Sequence, residues 1–214
     1  MSNLKSTDMK RFVLAIILAC CTLTLTAQEG IKVNYQGEKP TISDFVDAYL
    51  SNDSGVDEEE GYADESFNAV QQAWIRHRQG LPQDEGVTLT IDDTNGFVLY
   101  ENRHDGFLLR IEMCYWNESD KKHKLFAYNV GYYTSDGEYS PGQFDGLTFY
   151  RYDNASRELT YYDAPGFDVE YGTDDGAWAS YDLPRTGKDI TVNYWHDGRK
   201  TQKTLKWDGQ KFGF

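Results

Sequence analysis

Seven Asn-Gly or Asp-Gly pairs punctuate the chain, beginning at Asn95, Asp105, Asp136, Asp145, Asp175, Asp197 and Asp208. Such pairs accept the positive φ angles that tight hairpin turns demand, so each marks a place where the chain can fold straight back on itself. Between them the apolar residues fall with period two. Val87, Leu89 and Ile91 alternate with Thr88 and Thr90, and residues 107–116, 124–133, 147–152, 158–162, 190–195 and 201–207 read as strands in the same manner. Parallel neighbours need long crossover connections, and the links here are too short to provide them. The region 86–214 is therefore expected to be antiparallel.

Ahead of Gly86 the period becomes helical. Thr41 is a capping residue with Asp44 three positions on, and Ile42, Phe45, Val46, Tyr49 and Leu50 then fall along one face. A second helix is expected over about 64–79, where Phe67, Val70, Trp74 and His77 form a stripe. Asp64 and Glu65 suit its positive start, Arg76 and Arg78 its negative end, and Gly80-Leu81-Pro82 stops it. The stretch 51–61, with Asp57-Glu58-Glu59-Glu60, has nothing to bury and reads as a solvated loop. The expected fold class is α+β. Two N-terminal helices within 28–82 are followed by a large antiparallel β-meander or sandwich-like sheet over 86–214, all in one domain spanning 28–214.

The first residues have a different grammar. Lys5, Lys10 and Arg11 lead into the apolar run 12–21, and small Ala27 precedes a strongly hydrophilic chain. A charged start, a short apolar core and a small-residue exit form a secretory signal peptide, so residues 1–27 are expected to direct export and be removed. The apolar run is shorter than the roughly 20 residues that a membrane-spanning helix requires. Ile17-Leu18-Ala19-Cys20 also resembles a bacterial lipobox, which makes lipid anchoring at Cys20 the alternative outcome. The style of the signal points to a bacterial envelope or secreted protein.

Loss of residues 1–27 removes three basic groups and one acidic group, taking the net charge from −14 to −16. A field of that sign repels phosphate backbones, which argues against nucleic acid as a partner. Cys20 and Cys21 lie in the export segment, so Cys114 would be left with no internal partner for a disulfide. Stability must then come from burial, for which 16 Tyr, 11 Phe and 5 Trp supply the surface.

No motif for a nucleophile, a cofactor or a metal stands out. Cys114 and His123 flank a turn but lack the further ligands that zinc needs. His104 and His196 each precede Asp-Gly and read as hairpin tips. The stretch 92–96 has a calcium-loop flavour without the required ligand order. Neither a cofactor nor a metal is expected. One constellation suggests a binding face. If Leu109, Ile111, Met113 and Tyr115 point to the core, period two turns Arg110, Glu112, Cys114 and Trp116 the other way. The same logic turns Tyr150 and Tyr152 outward on one strand, and Asn193 and Trp195 on another. Arg110, Glu112, Trp116, Tyr150, Tyr152, Asn193 and Trp195 are thus the candidate ligand-binding residues, combining rings that stack with groups that hydrogen-bond. The competing reading is that another layer covers this face and makes it a second core.

The expected function is a non-catalytic binding or interaction protein with a glycan or protein ligand. The alternatives are an exported glycan hydrolase using a carboxylate pair, and a protein-interaction subunit or inhibitor. A further expectation concerns the chain ends. The acidic stretch 41–75 and the basic stretch 185–214 should attract, which would bring Lys203 and Lys206 near the first helix. Mass spectrometry of the exported protein should find Gln28 at the mature N-terminus. A diacylglyceryl group on Cys20 would instead establish membrane anchoring.

Overall fold

The structure, a computed structural model, describes residues 30–52, 64–142, 144–169 and 177–214. The expected signal peptide, most of the acidic loop and the Asp175-Gly176 turn lie outside the described residues. Among the described residues there are two helices, and the rest of the regular structure is antiparallel β. No helix there is long and apolar enough to cross a membrane.

Helix α1, Ile42–Ser51, starts where its capping signal stands. The Thr41 hydroxyl accepts from the Asp44 amide, and the Asp44 carboxylate accepts from the Thr41 amide at 2.7 Å. Asp93, reached from the sheet, accepts a further bond from the Ser43 amide at 3.2 Å. Helix α2, Glu65–Arg78, is capped by Asp64 through the Ser66 and Phe67 amides. The two helices are tied by side chains: Gln71 donates to the Leu50 carbonyl at the end of α1, and the Trp74 indole donates to Asp47 at 2.6 Å.

Seven strands form the larger sheet: β1 (Ile31–Lys32), β2 (Val87–Asp92), β3 (Phe97–His104), β4 (Phe107–Asn117), β5 (His123–Thr134), β6 (Gly146–Asp153) and β7 (Glu158–Tyr161). Their spatial order, β1-β7-β6-β5-β4-β3-β2, is a meander in which β2 to β7 each lie beside their sequence neighbours. Four further strands, β8 (Trp178–Asp182), β9 (Ile190–His196), β10 (Arg199–Trp207) and β11 (Phe212–Gly213), make a second sheet with β8 on its edge. The β3–β4 and β9–β10 links are two-residue hairpins. His104 pairs with Phe107 and His196 with Arg199, leaving Asp105-Gly106 and Asp197-Gly198 at the tips. All four tip residues have positive φ, between 48° and 81°. That is the geometry for which Asp-Gly is suited.

The larger sheet separates two cores. On one face, α1 and α2 cover Val98, Tyr100, Ile111, Met113, Phe126 and Tyr128. Phe45 lies 5.1 Å from the Tyr152 ring and 5.2 Å from Tyr115, while Tyr49 sits 4.9 Å from Tyr128 and 5.2 Å from Tyr150. On the other face, Phe97, Cys114, Trp116, Leu125, Ala127 and Phe149 meet Tyr181, Ile190, Val192, Leu205, Trp207 and Phe212 of the second sheet. Trp116 anchors this layer, with Phe212 5.8 Å away edge-on and Trp207 at 6.5 Å.

The structure corrects two expectations about faces. Tyr150 and Tyr152 do not share a face with Arg110, Glu112 and Trp116. On β6 it is Leu147 and Phe149 that point to the second sheet, so the tyrosines lie beneath α1. The reason is that the larger sheet has no solvent side over β4–β6, and the apolar residues of β6 serve both cores. The chain ends also do not close on each other. Leu205 and Trp207 belong to the core on the opposite face from α1, and Lys203 lies over the rings of Tyr194 and Phe214. Burying an aromatic or large aliphatic side chain contributes about 1.5–3 kcal/mol, against about 1 kcal/mol or less for an exposed ion pair. The apolar residues of β10 and β11 therefore decide where the basic stretch goes.

Candidate functional site: a lysine-floored cleft

The row of β5 residues facing the helices runs Phe126, Tyr128 and Val130 toward one end and Lys124 at the other. Lys124 extends this apolar row past the start of α1, at the point where residues 35–40 cross from β1 to the helix. There the chain leaves a cleft of about 430 Å³. Its sides come from Tyr35, Glu38, Lys39 and Pro40, from the β4–β5 turn with Asn117, Glu118, Lys121 and His123, and from Asn154 of the β6–β7 turn.

Lys124 is only 7% exposed. Its ammonium donates to the Asn117 side-chain oxygen and lies 4.9 Å from the centre of the Tyr115 ring. Among the described residues no carboxylate forms an ion pair with it. Burial pushes its pKa down, with Lys39 adding like-charge repulsion. An ammonium has three protons to donate, and Asn117 takes one.

The wall beside it is a dense ionic network built on the β4–β5 turn. Asp120 closes the turn by accepting from the Lys122 and His123 amides at 2.8 and 3.0 Å. Its other oxygen lies 2.5 Å from His123 Nδ1, while His123 Nε2 lies 3.0 Å from Asp153. The His123 hydrogen bond, with the two amides, holds the Asp120 carboxyl down at about 2. Arg151 crosses from β6 and grips Glu118 with two bonds of 2.7 and 2.6 Å. The Ser119 amide donates to the Gly209 carbonyl at 2.8 Å, which ties this turn to the link between β10 and β11.

Glu118, Asp120 and His123 bring three possible metal-ligand atoms within 4.8 Å of one another. The guanidinium of Arg151 reaches all three residues, at 2.6 Å from Glu118, 3.6 Å from Asp120 and 3.1 Å from His123 Nδ1. It already supplies the positive charge that a metal ion would bring to these groups. Cys114 takes no part. It is buried between the sheets, and burial pushes its thiol pKa up.

The seven residues proposed from sequence are divided among three places. Trp116 is in the inter-sheet core, and Tyr150 and Tyr152 are beneath α1. The remaining four lie around β8. Arg110 bonds Glu101 at 2.9 Å and approaches Asp182 at 3.7 Å, and Asn193 donates to Asp182 at 3.0 Å while accepting from Gln202. Trp195 donates to Ser180 at 2.9 Å and stacks on Tyr139.

Glu112, 5% exposed, has a structural task. Its Oε2 accepts from the Leu183 amide at 3.1 Å and from Asn129 at 3.2 Å, and Asn129 also donates to the Tyr181 carbonyl at 2.9 Å. These two side chains, opposite each other on β4 and β5, satisfy backbone groups at the end of β8. Burial drives the Glu112 pKa from 4.5 up to about 7; the Leu183 amide, Arg110 and Asn129 pull it down, and the Asp182 charge pushes it up.

Sequence reasoning did not find Lys124, Lys39, Lys121 or Asn117. One signal was present: Lys124 is in phase with the buried Phe126 and Tyr128, and a lysine in a core row needs a reason. No family model, curated protein or solved structure matches the chain.

Glu112 carries the prediction from this geometry. A carboxyl whose pKa is higher folded than unfolded adds stability that is complete below about pH 4.5 and is lost as pH rises through about 7. Denaturation of the wild type between those values should show stability falling with pH, by an amount on the order of a few kcal/mol. Glu112→Gln keeps an oxygen for the Leu183 amide and should flatten that part of the curve. An unchanged difference in stability between the two proteins across this window would refute the assignment.

Proposed function

We propose that the chain is an exported, non-catalytic binding protein of a bacterial envelope or secreted fraction, and that a glycan or protein ligand enters the cleft floored by Lys124. The observation that carries this reading is the lysine itself. Among the described residues this buried cation has Asn117 and the Tyr115 ring but no carboxylate beside it, an arrangement that costs stability and that a ligand's acceptor groups would offset. The cleft also has a size suited to a small ligand or to one unit of a larger one.

The hydrolase alternative needs an acid facing the cleft together with a second carboxylate. Glu112 has the raised pKa of a general acid. It is closed in by β4, β5 and β8, however, and one of its oxygens is committed to the Leu183 amide and to Asn129. Glu118 faces the cleft with both oxygens held by Arg151. Binding without turnover fits these groups better than proton transfer does.

Isotope-labelled protein titrated with panels of envelope polysaccharides and peptides should show shifts concentrated at residues 35–40, 117–124 and 154. Chemically unaltered ligand should be recovered. Shifts confined to another surface, or breakdown of the ligand, would overturn the reading.

A further inference from the structure

The cleft's charges identify a class of ligand, an inference that rests on the binding role proposed above. Three lysines, Lys39, Lys121 and Lys124, line one small space. Of the two carboxylates that share it, Glu118 is neutralised through both oxygens by Arg151, and Glu38 lies on the exposed rim. Lys39 and Lys121 lie on the same exposed rim as Glu38, so the buried Lys124 sets the charge at the interior end of the cleft, in a chain whose net charge is −14. A local reversal of sign inside a repulsive field favours an anionic group that is small enough to reach it.

We propose that this cleft is an oxyanion site that receives the carboxylate of an acidic saccharide, with Lys124 as the group that binds it. The carboxylate takes the ammonium protons of Lys124 that Asn117 leaves free, and Lys39 and Lys121 close on it from the rim. The rest of the lining matches a sugar better than a peptide side chain. Asn117 and Asn154 present amides for hydroxyl groups, and only Tyr35 and Pro40 are apolar. Asn154 is positioned by its bond to the Lys121 carbonyl at 3.1 Å, which leaves its side-chain oxygen available as an acceptor. The site performs no covalent step.

The test uses the full mature chain with D-glucuronate as probe, D-glucose as the neutral control and inorganic sulfate as a bare oxyanion. Calorimetry and NMR should find glucuronate bound with shifts at Lys124, Asn117 and Asn154, and glucose bound at least about tenfold more weakly, since a hydrogen bond to a charged group is lost. Lys124→Met should weaken glucuronate binding by a similar factor while melting at the same temperature as the wild type or higher, because no carboxylate loses a partner. The rim variant Lys39→Ala/Lys121→Ala disturbs no buried side chain, and should weaken binding by about threefold or more. Equal binding of glucose, or undiminished glucuronate binding by both variants, would overturn the charge assignment while leaving the binding role intact. Sulfate bound in the cleft without glucuronate would overturn the saccharide assignment. Failure of every panel ligand to perturb the cleft would remove the binding role itself.

Discussion

A sheet buried on both faces leaves no strand position that can be polar without consequence. That constraint governs β4, β5 and β6, which have the helices on one side and the second sheet on the other. Alternation of polar and apolar residues, the usual mark of a half-exposed strand, gives way there to apolar residues in both phases. The polar residues that remain are the informative ones. Glu112 and Asn129 bond the Leu183 amide and the Tyr181 carbonyl at the end of β8 and let an edge strand end inside the protein. Lys124 ends the helix-side row at the one place where the row opens into a cleft.

The local signals in the sequence reached most of the fold. The capping pair Thr41 and Asp44 stands at the start of α1, and the stripe Phe67, Val70 and Trp74 is the buried face of α2. The Asp-Gly tips at 105 and 197 lie in two-residue turns, and the strands read between 87 and 207 form the antiparallel sheets. Such features depend on neighbours a few residues apart. Strand β1 lies where Ile31, Val33 and Tyr35 alternate as an extended lead, whereas β11, only two residues long, has no periodic signal because it is defined by its partner at Lys206–Trp207. Strand β8 was also missed, since Trp178–Asp182 is short and borders a glycine-rich and acidic stretch.

The candidate site was harder to read for the same reason. Arg151 and Glu118 are 33 residues apart, and Lys39 meets Lys124 only because the segment before α1 crosses the end of β5. Face assignment failed at β6, where both phases of the strand are apolar and alternation alone does not say which core each residue serves. The expected attraction between chain ends failed on magnitude. An exposed ion pair contributes at most about 1 kcal/mol, whereas Leu205, Trp207 and Phe212 each bury a large apolar side chain on the opposite face.

The end of β8 is held by Glu112 and Asn129 rather than exposed to solvent. Amide hydrogen exchange at Leu183, the residue after β8, reads this directly, because that amide donates to Glu112 and to no backbone carbonyl among the described residues. The account predicts slow exchange, approaching that of the β4–β5 ladder amides and accelerated in Glu112→Ala more than at Val192 of β9. Exchange at Leu183 in the wild type as rapid as that of an exposed turn amide such as Gly198 would contradict it.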